Sequence, residues 1–402
     1  MERCRVSAES ERMLTLGHPW IIQDQETKRW KRLQTGSIIE LTAPDGRYLA
    51  TALYDPDDRI IARVLSYDRT MRLNAHWLEK QCAAAIRRRT LLAGDSQTTA
   101  YRLINGEGDA LPGLTVDRYG DFLMLQLYSE AWRPHLPLVT QILGKLVKPA
   151  GIYEKRRPRD TRTLEQRVGS KQYGVHIHGE HVPTPHVVTE HGIRYQVNLA
   201  EGLDTGLFLD QRENRSALMR HLPGKQFLNL FAYTGAFSLA AASAGATHCT
   251  SVDISPRYMA IHRQNILLNN LPEENFSLII DDCLAALTNF REQGRSFDVI
   301  MLDPPSFSTT GKGMFTTRKG TSELVAAALN VLTDDGLLVC SSNHQKTDLA
   351  DYLKELRRGA LQADSLLTVI AQAGQPLDFP YPVTFPEGRY LKYIITQKQQ
   401  RP

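Results

Sequence analysis

Four carboxylates stand where an apolar run gives way to a turn. They are Asp253 in Ser-Val-Asp-Ile, Asp281 and Asp282 in Ile-Ile-Asp-Asp-Cys, and Asp303 in Met-Leu-Asp-Pro-Pro-Ser-Phe. An acid at the end of a strand, about 20 residues past a tight βα turn, suits hydrogen bonding to ribose hydroxyls. Asp253 lies 18 residues past Gly235. The acids of the next turn, Asp281 and Asp282, can accept from an exocyclic amine such as that of adenine. The turn itself is Phe227-Leu-Asn-Leu-Phe-Ala-Tyr-Thr-Gly-Ala, an apolar run entering Tyr233-Thr234-Gly235 and then an Ala-rich stretch. A small residue there lets the backbone approach a ligand closely. The segment is neither GxGxxG nor GxxxxGK[ST], which argues against a dinucleotide fingerprint and a P-loop. Asp303-Pro304-Pro305-Ser306-Phe307 is the most specific piece. Two prolines after an acid fix a rigid turn with few donors, and an aromatic ring at Phe307 can stack on a base taken out of its helix. Any one of these turns also reads as an ordinary βα connection; four in succession do not.

The elements that must hold these residues alternate. Strands are expected at Phe227–Leu230, His248–Asp253, Ser277–Asp281, Val299–Leu302 and Gly336–Cys340, with helices at Gly235–Ala244, Pro256–Asn269, Leu284–Phe290 and Lys319–Leu332. Repeated β-α-β units imply a parallel sheet covered on both faces, with the ligand at the carboxyl ends of its strands. A helix carrying Arg212, Arg215 and Arg220 precedes the first strand, and before it a hairpin over His186–Leu199 turns at His191-Gly192. The part before about residue 186 reads differently. Ser37–Leu41, Tyr48–Leu53 and Arg59–Leu65 are short strands around the turns Pro44-Asp45-Gly46 and Pro56-Asp57-Asp58, which suggests a small barrel. Helical patterns at 74–92 and 135–147 bracket strands at Thr99–Ile104, Leu114–Asp117 and Phe122–Tyr128, a compact α+β arrangement; Pro158–His181 reads as an exposed connector. The expected division is 1–72, 73–185 and 186–402.

The chain has 402 residues, 42% hydrophobic and 23% charged, ordinary values for a globular protein. No run of about 18 apolar residues suggests a membrane span, and Met1–Arg12 lacks the apolar core of a secretory signal. The five cysteines form no CxxC pair, which fits a reduced, cytoplasmic protein with no metal site. Net charge is only +4, but the cations cluster: Lys28, Arg29, Lys31 and Arg32 around Trp30; Arg87, Arg88 and Arg89; and Lys155, Arg156, Arg157, Arg159, Arg162, Arg167 and Lys171. Such clusters either attract phosphates or form plain solvated surface.

Asp303-Pro-Pro-Ser resembles the [D/N]-P-P-x motif of class I methyltransferases acting on planar nitrogens or bases. Gly202-Leu-Asp-Thr-Gly-Leu-Phe-Leu-Asp-Gln-Arg-Glu-Asn-Arg215 is similar to the GxxTGFFLDQRxNR signature of the RlmI-like large-subunit (23S) ribosomal RNA methyltransferases. Phe385-Pro-Glu-Gly-Arg-Tyr-Leu-Lys392 resembles that family's C-terminal segment, Gly17-His-Pro-Trp20 the opening of its PUA domain, and Asp109–Gly120 its middle domain. The resemblance implies an α/β chain: an N-terminal PUA β-barrel, a small α+β middle domain, and a C-terminal Rossmann-like methyltransferase domain using S-adenosyl-L-methionine. It further implies that Phe208, Asp210, Arg212, Asn229, Phe231, Tyr233, Thr234, Gly235, Asp253, Ile254, Asp282, Cys283 and Asp303 border the cofactor, and that Asp303, Pro304, Pro305, Ser306 and Phe307 line the target site. Ribosomal RNA of the large subunit, or an assembly intermediate, is the implied partner, and relatives of this kind are often dimers.

Methylation at cytosine C5 needs a thiolate to attack C6. Members making 5-methylcytosine carry a cysteine after the fifth strand, and in this chain that position falls at Ser342, two residues past Cys340. Guanine N7 is already nucleophilic and needs orientation only. The reading leans to guanine N7, with cytosine C5 and a Cys340 nucleophile as the alternative. An RNA-binding assembly factor without chemistry and a protein methyltransferase are the competing classes.

Overall fold

A computed structural model describes residues 1–156, 173–305, 307–310 and 313–401, without the side chains of 307–319. The chain divides into two compact units. One comprises Met1–Val188, Asn198–Thr205 and Leu377–Gly388; the other comprises Thr189–Val197, Gly206–Pro376 and Arg389–Pro402. The segments 198–205 and 377–388, which the sequence division assigned to the last domain, therefore belong to the first unit.

The first unit holds two sheets. One runs in the order Glu2–Arg5, Ile38–Thr42, Tyr48–Tyr54, Ile60–Ser66, Trp20–Ile22. The two outermost strands, with 4 and 3 residues, are too short to show period-2 alternation and were not foreseen. Their core includes Cys4, Leu14, Ile21, Ile39 and Leu41. The other sheet has the order Gly174–Gly179, Gly151–Lys155, Phe122–Leu127, Leu114–Tyr119, Ala100–Asn105, with helices Ala75–Arg88 and Leu136–Val147 packed through Leu78, Cys82, Val139 and Leu143. Gly174–Gly179 is thus a strand where the sequence suggested an exposed connector.

Two quoted motifs meet in this unit. The Trp20 ring packs edge-on against Phe385 with centroids 4.6 Å apart, and His18 Nε2 lies 3.3 Å from Glu387. Burial also sorts the cation clusters. Arg89 is buried and binds Asp109 (2.7 Å) and the Asp378 carbonyl (2.7 Å), while Lys155 is buried and donates to Gly202 O. Both are structural, so neither can serve as a phosphate contact. Arg157, Arg159, Arg162, Arg167 and Lys171 lie outside the described residues.

The second unit is built on a seven-stranded sheet. Its strands are β1 (Gln226–Leu230), β2 (His248–Asp253), β3 (Phe276–Ile280), β4 (Phe297–Leu302), β5 (Leu332–Ser342), β6 (Ser365–Ala373) and β7 (Lys392–Gln400). The order is β3-β2-β1-β4-β5-β7-β6; the first five are parallel and β7 is antiparallel to both neighbours. The helices are α1 (Arg212–Met219), α2 (Ala236–Ser243), α3 (Pro256–Leu268), α4 (Cys283–Glu292), α5 (Thr317–Leu329) and α6 (Leu349–Gln362). Strand interiors such as Phe227, Leu228, Ile300, Met301 and Val339 are fully enclosed, as a sheet covered on both faces requires. Strand order reverses around β1, flanked by β2 on one side and β4 on the other. That switch point puts the βα turns of β1 to β4 together at one end of the sheet.

Candidate active site

The turn after β1 is shaped by its backbone. Phe231 (φ 59°), Tyr233 (φ 51°) and Gly235 (φ 82°) alternate in the left-handed region, where an aromatic residue costs about 1–3 kcal/mol. Something must hold them there, and Asp253 does part of it. Its Oδ2 accepts from the Tyr233 N–H at 2.8 Å and its Oδ1 from the Ser255 N–H at 2.9 Å. Each carboxylate oxygen retains a second lone pair for a hydroxyl. Thr234 is buried; its Oγ1 donates to Gly206 O (2.6 Å), and its carbonyl accepts from Asn265 Nδ2 (3.2 Å).

Gly235 is required for space as well as for φ. A Cβ there would lie 2.0–2.3 Å from ring atoms of His262. His262 is fully buried, and burial pushes its pKa down to about 3, so it is a neutral slab behind the turn at physiological pH.

The signature Gly202–Arg215 leads up to this turn and is bolted at several points. Arg215 makes a bidentate, buried pair with Glu190 (2.7 and 2.6 Å) and donates to Phe208 O (2.8 Å). Arg212 is buried, with its Nε on Glu213 Oε1 at 3.0 Å. The Phe208 ring is 43% exposed and lies 5.2 Å from Tyr233, whose ring is 4.5 Å from Tyr258. Ile254 and Ile280 are 58% and 55% exposed, and the β2–β3 register sets Asp253 beside Ile280. Uncovered apolar side chains next to convergent polar groups are what a ligand with a planar ring would cover.

Three more of the expected cofactor residues have partners within the protein. Asn229 is buried between sheet and helix, donating to Ser238 Oγ (2.9 Å), which in turn meets Ser251 Oγ (2.7 Å). Its amide is spent on packing. Cys283 is buried in the core beside Val252 and Leu287, its thiol next to the backbone of Phe231 behind the turn, and burial raises its pKa. Asp282 caps α4, its Oδ1 accepting from Leu284 N (3.0 Å) and Ala285 N (3.2 Å), which leaves Oδ2 for a ligand.

Asp303 at the end of β4 is partly buried, and burial pushes its carboxyl up to about 6. Gln211 stands between it and β5: Nε2 is 2.7 Å from Ser341 Oγ and 3.4 Å from Asp303 Oδ2, and Oε1 accepts from Asn214 Nδ2 (2.7 Å). Asp210 accepts from the Tyr390 hydroxyl at 2.7 Å. Sequence reasoning missed Gln211, Ser341 and Tyr390. Gln211 lay inside the quoted signature, a signal that could have raised it. Pro304 is buried and Pro305 exposed; Ser306 and the Phe307 side chain lie outside the described residues. Cys340 is in mid-strand, paired with Leu302 and Ile394, and packed in the core with Leu338 and Tyr352. Burial raises its pKa far above that of an ordinary thiol.

The donor set fits S-adenosylmethionine: an acid with spare lone pairs at a βα turn, a turn that must be glycine, exposed apolar faces for a purine, and an acid at the next strand end. The group supplies an electrophilic methyl when bound.

A model of the S-adenosylmethionine-dependent methyltransferases matches residues 101–385, and one of a PUA-like domain matches residues 5–67. Ribosomal RNA large subunit methyltransferase I of Klebsiella pneumoniae is 33% identical over 384 residues, covering 95% of this chain and 94% of its own. The protein of that name from Photobacterium profundum is 32% identical over 383 residues, covering 95% and 96%. Among solved structures, a methyltransferase complexed with S-adenosylhomocysteine superposes with a TM-score of 0.89 at 28% identity, covering 99% of this chain and all of that one. A methyltransferase from Streptococcus mutans gives 0.86 at 28% identity over the same shares. With its strand-end acids, its glycine turn and its relatives in agreement, the chain belongs to the S-adenosylmethionine-dependent methyltransferase family, on the branch that holds the large-subunit ribosomal RNA methyltransferases I.

Proposed function

We propose that this enzyme methylates a base of large-subunit (23S) ribosomal RNA, and that the base is guanine, modified at N7. Ribosomal RNA as the partner is supported by what the relatives are named for and by the PUA-like match. It is also supported by a depression in the first unit lined by Lys28, Trp30, Arg32 and Tyr54, where cations and rings interleave as nucleic-acid surfaces require. Finished subunit and assembly intermediate are both compatible substrates, and a homodimer is compatible with this reading.

The observation that carries the guanine assignment is the absence of a usable thiol among the described residues of the target end. All five cysteines are buried, and Cys340 is a neutral core residue. Ser342, where the alternative needs a thiol, has its hydroxyl accepting from His344 N (3.3 Å), and His344 Nδ1 is engaged with Thr347 Oγ1 (2.8 Å). The hydrogen bonds of that serine and of His344 are therefore turned to the loop itself. Guanine N7 asks for no base: an in-line approach is enough. The ionised Asp303 carboxylate is an acceptor suited to the N1–H and N2–H donors of guanine, and Gln211 orients it.

Nucleoside mass spectrometry of large-subunit RNA from a deletion strain and its parent tests the assignment. Loss of one 7-methylguanosine is expected. Loss of a 5-methylcytidine instead would sink the guanine assignment, and no change in any methylated nucleoside would sink the ribosomal one.

A further inference from the structure

Lys392 opens β7 and pairs in register with Ser342, the last residue of β5. It is 7% exposed. Its Nζ donates to two backbone carbonyls, His344 O at 2.7 Å and Tyr390 O at 2.8 Å. Among the described residues no carboxylate lies within ion-pair distance of it, and burial pushes its pKa down to about 8. An enclosed ammonium with no carboxylate in direct contact, only Asp348 at longer range, is an expensive way to satisfy two carbonyls, so its placement needs a reason beyond packing.

The two carbonyls supply one. His344 belongs to the loop leaving β5, the loop that starts at Ser342. Tyr390 carries the phenol that holds Asp210, and Asp210 precedes Gln211, the residue reaching Ser341 and Asp303. One side chain thus ties the exit loop of β5 to the segment that fixes the Asp303 neighbourhood. Neither of these two hydrogen bonds reaches the cofactor turn after β1.

We infer that Lys392 is a positioning residue for the target nucleotide: by clamping His344 and Tyr390 together it sets the wall beside Asp303 before RNA arrives. This rests on the RNA-base reading above. Lys392→Met removes the donors and keeps the aliphatic stem, whereas Lys392→Arg keeps donors and charge.

The test uses full-length protein and three readouts. Without RNA, amide hydrogen exchange in 343–347 and 389–391 is expected to speed up in Lys392→Met and to stay near wild type in Lys392→Arg. With large-subunit RNA from the deletion strain, kcat is expected to fall about 10- to 100-fold in Lys392→Met, as misplacement of reacting groups by a fraction of an ångström to an ångström does. Lys392→Arg is expected to recover most of it. The Kd for S-adenosylmethionine is expected to stay within about threefold of wild type, because the Asp253 contacts that hold the turn after β1 do not involve Lys392. Unchanged exchange in both segments would overturn the clamp, as would a cofactor Kd that weakens in step with kcat, the signature of a general loosening. Failure of the wild-type protein to methylate the RNA at all would instead strike the substrate reading, and the exchange result would still decide the clamp.

Discussion

The two ends of the active site are made in different ways. The cofactor end, after β1 and β2, is built from backbone conformation and from contacts between neighbouring βα units: Tyr233 to Asp253 spans 20 residues, Thr234 to Gly206 spans 28 and Asn265 to Thr234 spans 31. The target end, after β4 and β5, is a net of side chains gathered from afar. Gln211 to Asp303 spans 92 residues, Gln211 to Ser341 spans 130 and Tyr390 to Asp210 spans 180. The first design tolerates little change because a backbone path cannot be rerouted. The second can alter one member at a time.

Substitutions at the two ends should therefore separate binding from transfer. The largest effect is expected at Gly235→Ala. A Cβ inside the His262 ring volume and a left-handed φ together imply several kcal/mol, about 1–3 for overpacking and about 1–2 for the backbone. Calorimetry should find cofactor binding abolished and the melting temperature lowered; intact binding would break the claim that this end is fixed by its backbone.

Asp303→Asn should lower kcat about 100- to 1,000-fold, the range for loss of one oriented polar group, with cofactor Kd little changed. The same residue sets a pH dependence. Because its carboxyl titrates near 6, the acceptor form is present above that pH and is lost as pH falls through it. Wild-type kcat should drop below pH about 6, while the residual activity of Asp303→Asn stays flat there. A flat wild-type profile would remove Asp303 from the reaction.

Asp253→Asn should weaken the cofactor Kd by about 10- to 100-fold, matching 1.5–3 kcal/mol for hydrogen bonds to a charged acceptor, and should leave kcat at saturating cofactor nearly intact. A kcat effect larger than the Kd effect would blur the line between the two ends. Smallest of all is Cys340→Ala: transfer should stay within about twofold, with stability lower by about 1 kcal/mol from the small cavity. An inactive but folded Cys340→Ala protein would restore the cytosine alternative.

The same contrast explains how much could be read from sequence. The alternation from Phe227 to Cys340 located the parallel sheet, because buried strands and amphipathic helices announce themselves by period, and every acid that ends one of its strands is where the pattern put it. Adjacency to a motif does not say which way a side chain leaves the strand; Asn229 points toward Ser238 and the helix layer. Gln211, Ser341 and Tyr390 had no local signal that joins them. The strands Ser365–Ala373 and Lys392–Gln400 are not among the elements the sequence pattern predicts. The segment between them, 377–388, shows why: Phe385 answers to Trp20 rather than to its neighbours in sequence.

Helix α3 carries one more lesson. Asn269 Oδ1 accepts from Arg194 N and its Nδ2 donates to Arg194 O, while one turn earlier Asn265 Oδ1 accepts from Gln196 N. Two amide side chains thus occupy the outward backbone groups of the strand Ile193–Val197, as a neighbouring strand would. An open strand edge invites pairing with another copy of the chain. Here the helix poses as the missing strand, so that edge is closed to cross-copy addition. Asn269→Ala, which leaves Asn265 on the Thr234 carbonyl of the cofactor turn, should show its first symptom as self-association at high protein concentration, before any change in methyl transfer.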